Sequence, residues 1–322
     1  MVVIAGEMIP TIEFFILIFQ VTSIFIYLLI CCYLVHQIHN PNNHFQPSFI
    51  IHFTCNAFFD TLSSFSILLF RKLTYWGYFY EYFAQNEWGA EAYKYLFFQT
   101  ITLTISGNII ISVNRFLALY NPINYTRVWN IKVSFLIVFL QVVICYASYI
   151  HIFFTDTAFL YDSHTNTYQF TTPNKYFSLA NNGVLLSFCV IGIIITTSLN
   201  ILVFIKFSKI FKKNDKGKYG SKVTMLAFMI LASFFLVITA IQLIIRSIAI
   251  STNNKPLKDV INNYFFYSIP ILSTLQPYLI LLLSAQLRNG IKKFVCLIAH
   301  GKKVSHIKVT VFNKEDGRTS RK

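Results

Sequence analysis

The chain has 322 residues, is 55% hydrophobic with a mean hydropathy of +0.57, and is only 12% charged, which excludes an ordinary soluble domain. A formal net charge of +15 raises nucleic acid as a partner, but the excess charge flanks apolar segments. There it meets anionic headgroups and cytosolic proteins, so membrane lipids are implied and nucleic acid is not.

Seven apolar stretches follow in chain order, near 11–35, 48–70, 95–119, 132–155, 183–206, 223–248 and 263–285. A hydrocarbon core of roughly 30 Å takes about 20 residues of helix, and only a helix satisfies its own backbone there. The expected fold is therefore an all-α membrane protein, a seven-transmembrane helix bundle. Residues 1–285 form one membrane domain, and 286–322 a basic tail. The start, Met1 to Pro10, lacks a basic leader region, so the first stretch reads as an uncleaved span.

Between the first two spans, 36–47 is polar and carries no Lys or Arg. Residues 75–88 are dense in aromatics, from Tyr75 and Trp76 to Phe83 and Trp88, and read as an interfacial belt or, more sharply, as a lid over a ligand mouth. The segment 156–182 is rich in Thr, Tyr and Asn, with nothing that dictates a structure. The loop 208–222 packs Lys209, Lys212, Lys213, Lys216 and Lys218 into a stop-transfer cluster or a surface for a cytosolic partner. After span seven, Leu287, Ile291, Phe294, Val295 and Ile298 recur on one helical face, with Arg288, Lys292 and Lys293 opposite. That is an amphipathic helix for the inner leaflet, weakened by Gly290 and open to palmitoylation at Cys296.

The basic residues set a direction. Of the 27, twenty fall on the side reached by the tail and seven on the side of the N-terminus. The positive-inside asymmetry then predicts an outside N-terminus and a cytoplasmic C-terminus. On that topology no cysteine lies in an outside loop, and the sequon at Asn124 is cytoplasmic and unused.

Ionisable groups inside spans are expensive and therefore informative. Asp60 sits midway through span two, with Asn56, Asn108 and Ser112 as candidate neighbours; it reads as an ion- or proton-sensing switch, or as a hydrogen-bonding stitch between helices. Arg246, near the outer end of span six, reads as a snorkelling anchor. Pro277 removes a backbone hydrogen bond from span seven and makes a candidate hinge after Gln276. No catalytic constellation, metal-ligand spacing or cofactor motif emerges, so no enzyme and no cofactor is expected.

At the inner end of span three stands Asn114-Arg115-Phe116, within SVNRFLALYNPINYTRVW (112–129), and span seven continues as QPYLILLLSAQLRNGI (276–291). With seven spans, these segments resemble the G-protein-coupled receptors, and more narrowly the nematode serpentine chemoreceptors of the class gamma group and its relatives. The resemblance implies a small external ligand, a heterotrimeric G protein inside, and a plasma-membrane location in chemosensory cells. It implies that Asn114, Arg115 and Phe116 meet the G protein, with Asp60, Gln276 and Pro277 as the conformational switch. Asn114 stands where the rhodopsin-like family has an acid, so the resting-state clasp of Arg115 has to be different. Ligand-pocket residues are not assigned. A small transporter lacks the paired helix breaks of inverted repeats, and a seven-helix ligand-gated channel with an inside N-terminus would put twenty basic residues outside.

Overall fold

The computed structural model describes residues 2–4, 7–9, 11–38, 45–120, 125, 127–162, 167–211 and 220–299. Seven helices long and apolar enough to cross a bilayer form one bundle. They run Thr11–Ile38, Pro47–Ile67, Trp88–Tyr120, Ile131–Ala147, Lys175–Phe211, Gly220–Ser251 and Lys255–Leu283, and are called spans one to seven. Spans three, five and seven begin about two turns before the apolar stretches, because hydropathy marks the hydrocarbon slab and not the helix. Their true starts carry helix-entry chemistry: Pro256 lies in the first turn of span seven, and the Asn254 side chain accepts from Leu257 N at 3.1 Å.

Packing order follows burial. Span three is enclosed, with 72% of its apolar window buried, against 22% for spans four and five. Large side chains such as Phe15, Phe25, Phe58, Phe139 and Phe204 point outward around the girth. Such a belt has no place on a soluble surface; facing lipid, it is in its own solvent. The fold is that of a multi-pass membrane protein. Its two faces are named below by the terminus each carries.

On the N-terminal face, span two does not stop at Ile67 but widens into a π-helical turn, Leu68–Leu73. Arg71 and Lys72, assigned by sequence to a loop, therefore stay on the helix, and Lys72 is buried. A short helix, Tyr80–Gln85, follows. Strands β1 (Val2–Ile4) and β2 (Glu7–Ile9) pair before span one. The segment 156–182, read as unstructured, holds an antiparallel hairpin of β3 (Ala158–Asp162) and β4 (Thr167–Thr171). Phe159 pairs with Phe170 and Tyr161 with Tyr168, so one face of the hairpin is aromatic. Phe170 packs edge-on to Phe83 at 5.2 Å and to Phe70 at 5.5 Å. The aromatics of 75–88 thus divide: Trp76 and Phe83 are buried in a cap, while Phe79, Tyr80, Tyr82 and Trp88 stay at the surface.

On the C-terminal face the amphipathic helix forms over Ala285–Ala299. Arg288 caps span seven, its Nη1 donating to the carbonyls of Leu281 at 2.8 Å and Leu282 at 2.6 Å, which a helix end otherwise leaves orphaned. The expected docking onto lipid is corrected in part. Leu287 and Ile291 are buried against span one with Tyr33 and Leu34, and Phe294 stacks over His36 at 5.4 Å; only Val295 and Ile298 remain exposed. Gly290 has a purpose that helix propensity hides: a Cβ there would lie 2.0 Å from the Tyr33 hydroxyl. Tyr33 is buried and edge-packed on Phe294, so it has little room to swing. Gly290→Ala is expected to lift this helix off span one despite gaining about 1 kcal/mol of helix propensity. Hydrogen exchange across 287–298 should quicken; unchanged or slower exchange would show that Tyr33 yields instead. The Lys cluster 212–218 and the tail beyond Ala299 lie outside the described residues.

Candidate functional site

Midway through the bundle, Asp60 is fully buried and ties spans one and two together. Its Oδ2 accepts from the Tyr27 hydroxyl at 2.5 Å and from Asn56 Nδ2 at 3.0 Å. Of the three neighbours expected from sequence, only Asn56 touches it. Ser112 bonds back to Asn108 O at 2.8 Å within its own helix, and the Asn108 side chain accepts from Gln276 Nε2. Tyr27 was missed, because nothing in an apolar span says which of its faces turns inward. Close approach matters here as well: a Cβ on Gly107 would fall 1.5 Å from Asn56 Oδ1, so glycine lets span three press against the residue that holds Asp60.

Span seven joins the same layer. Pro277 leaves the Ser273 carbonyl without its helical donor, and the Tyr27 hydroxyl lies 3.4 Å from that oxygen. Ser273 Oγ is 3.3 Å from Ser64 Oγ on span two. A second proline, Pro270, sits two turns earlier, its carbonyl taking the hydroxyls of Ser273 and Thr274. Among the described residues, Asp60 Oδ1, Asn56 Oδ1, Asn108 Nδ2 and Gln276 Oε1 are buried without a hydrogen-bond partner. Such a half-satisfied layer is costly to keep and ready to re-pair when helices shift.

Two turns further along span three, the triplet at 114–116 splits in three directions. Asn114 Oδ1 accepts from the Tyr125 hydroxyl, which lies 3.1 Å from Ser48 Oγ at the start of span two. Burial pushes the Tyr125 phenol above its ordinary pKa, so it keeps its proton; that proton goes to Asn114, and Ser48 donates to Tyr125. One turn on, Trp129 Nε1 donates to His52 Nε2 at 2.9 Å, pinning the loop after span three to span two. Phe116 is buried against Val203 of span five. Arg115 is half-buried.

On the N-terminal face a cleft, partly open to solvent, lies between spans two, three, five, six and seven beneath β4. Phe97, Phe98, Phe170 and Phe266 supply apolar wall, and Arg71, Arg246 and Lys258 supply charge. Here the snorkelling reading of Arg246 fails. Its side chain is 8% exposed and points into the bundle, where Nη1 donates to Asn182 Oδ1 and the guanidinium sits 5.8 Å from the Phe98 ring centre. Sequence assigns no ligand-pocket residues; the structure puts the end of span two and β4 in the wall of this cleft.

The Glu13 carboxylate is buried at the start of span one. It accepts from Trp76 Nε1 and from the Tyr267 hydroxyl at 3.2 Å, tying span one to span seven. Among the described residues no group of His, Cys, Asp and Glu is arranged to hold a metal ion.

A family model described as serpentine type 7TM GPCR chemoreceptor Srv matches residues 14–296, from the first turn of span one to the helix after span seven. No curated protein matches the chain.

Proposed function

Because the chain belongs to the serpentine seven-transmembrane chemoreceptor family Srv, a receptor family and not an enzyme family, we propose that it detects a small external chemical and signals through a heterotrimeric G protein. On this reading residues 1–285 are the receptor domain, with the N-terminus outside and residues 286–322 in the cytoplasm. The receptor resides in the plasma membrane of chemosensory cells. The ligand enters the cleft of the N-terminal face, and the G protein meets Asn114, Arg115 and Phe116 on the other.

The observation that carries the proposal is the mid-membrane polar layer, in which Tyr27, Asn56 and Asp60 meet Ser273 of span seven at the Pro277 break. A ligand shifts a two-state bundle only by its differential affinity for the two states, each tenfold being about 1.4 kcal/mol. Movement of span seven at Pro277 disturbs Gln276–Asn108 and Ser273–Ser64 and loosens Tyr27 from the layer.

Epitope tags on both termini in intact cells, with G-protein nucleotide exchange measured against a panel of small odorants, test this. The N-terminal tag should be accessible, the C-terminal tag protected, and at least one odorant should raise exchange. An exposed C-terminal tag or odorant-gated current without nucleotide exchange would overturn it in favour of a channel.

A further inference from the structure

Among the described residues, the cleft beneath β4 is lined by three basic side chains and by no carboxylate. Arg71 and Arg246 both enter it from helices, and each has a neutral amide as its hydrogen-bond partner. Arg71 Nη1 donates to Gln169 Oε1 at 2.7 Å, and Arg246 Nη1 to Asn182 Oδ1. Neither makes an ion pair among the described residues. Asp259 and Glu13 lie within electrostatic reach of Arg71, but neither lines the cleft, and Glu13 already accepts from Trp76 and Tyr267. Arg246 is worse served: its charged neighbour is Arg71, which repels it.

Buried charges in proteins are as a rule paired, since taking an ion from water without a counter-charge is costly. Aromatic faces at 5.0 Å (Phe266 on Arg71) and 5.8 Å (Phe98 on Arg246) offset part of that cost. They leave hydrogen-bonding capacity unused. Among the described residues, Arg246 Nε is buried without a hydrogen-bond partner, and so is Asn262 Oδ1 in the same cleft. A guanidinium with an open N–H edge matches the two oxygens of a carboxylate, and Phe98 and Phe266, which back the two arginines, border the same space.

We propose that this cleft binds a small organic acid, its carboxylate received by Arg246 and Arg71 and its apolar body held by Phe98 and Phe266. The proposal rests on the receptor reading for its purpose, but binding is separable from signalling. Full-length protein in phosphatidylcholine nanodiscs is melted with benzoate, phenylacetate and octanoate, and with the matching amides. At least one acid should raise the melting temperature by a few degrees while its amide does not, and Arg246→Gln should abolish the shift. Asn262→Asp, which supplies a carboxylate from the protein, should raise the melting temperature of the unliganded protein and remove the response to acid. It keeps the test open should Arg246→Gln fail to fold. No stabilisation by any of the acids, equal stabilisation by the amides, or a response that survives both substitutions would overturn the proposal. Stabilisation by phosphatidylglycerol in the nanodisc but not by the acids would overturn it too, making the arginines a lipid-headgroup site. An acid that binds without raising nucleotide exchange leaves this inference standing and counts against the G-protein reading.

Discussion

Asp60→Ala is expected to lower the stability of the solubilised protein by about 2–4 kcal/mol, the largest effect of any single mid-membrane substitution. Two buried donors, the Tyr27 hydroxyl and the Asn56 amide, lose their acceptor. A donor left unsatisfied costs about 1–3 kcal/mol, while an interhelical hydrogen bond within a membrane is worth nearer 0.6–2, because the alternatives are less wet. The Ser273 carbonyl, 3.4 Å from Tyr27, recovers part of the loss. Thermal melting in detergent reads the result directly. Asp60→Asn keeps one acceptor oxygen for Tyr27 and is expected to lose less than half as much. The pair of variants separates the two readings of Asp60. A stitch shows as lost stability with unchanged signalling per folded receptor. A switch shows in Asp60→Asn as near-normal melting with altered basal nucleotide exchange. An unaltered melting temperature in Asp60→Ala would mean that the Tyr27–Asp60–Asn56 bonds do not hold spans one and two together.

Arg115→Ala is expected to cut ligand-evoked nucleotide exchange by about tenfold or more while surface expression and ligand binding are retained. One charge-assisted hydrogen bond is worth about 1.5–3 kcal/mol, which at 1.4 kcal/mol per decade is roughly ten- to a hundredfold in the active complex. Arg115 is half-buried and stands seven residues, about 10 Å of helix rise, from Asn108, so its removal spares the mid-membrane layer. Arg115→Lys keeps the charge but loses the planar fork, and should fall between. A full response in Arg115→Ala would remove this residue from the coupling role.

How far the chain could be read from its sequence varies with the kind of residue. Asp60, Gln276 and Pro277 were picked out because a carboxylate, an amide and a proline in apolar helix are conspicuous wherever they point. Tyr27 was passed over because a tyrosine in span one looks like any other large side chain until Asp60 is brought within 2.5 Å of its hydroxyl. Arg246 was misread for a related reason: its depth near a helix end allows snorkelling, but its rotation turns it toward Asn182. The β3–β4 hairpin left a trace that went unused, the alternation Phe159, Tyr161 against Tyr168, Phe170. Gly290 was judged on propensity, when its reason is the ring of a residue 257 positions away.

By itself the sequence determined that this is a chain of seven membrane helices with its basic residues massed toward one end. Hydropathy and charge act residue by residue through contact with the surrounding lipid, and need no partner to be legible. Only the tertiary structure decided which side chains meet: Tyr27 with Asp60, Gln276 with Asn108, two arginines beneath an aromatic hairpin. Within a bilayer the lipid-facing and protein-facing sides of a helix are both apolar, so no periodicity records its rotation. That rotation is set by close packing and by a few buried polar groups finding one another, and those pairings join seven spans into one bundle with a mid-membrane polar layer and a cleft on its N-terminal face.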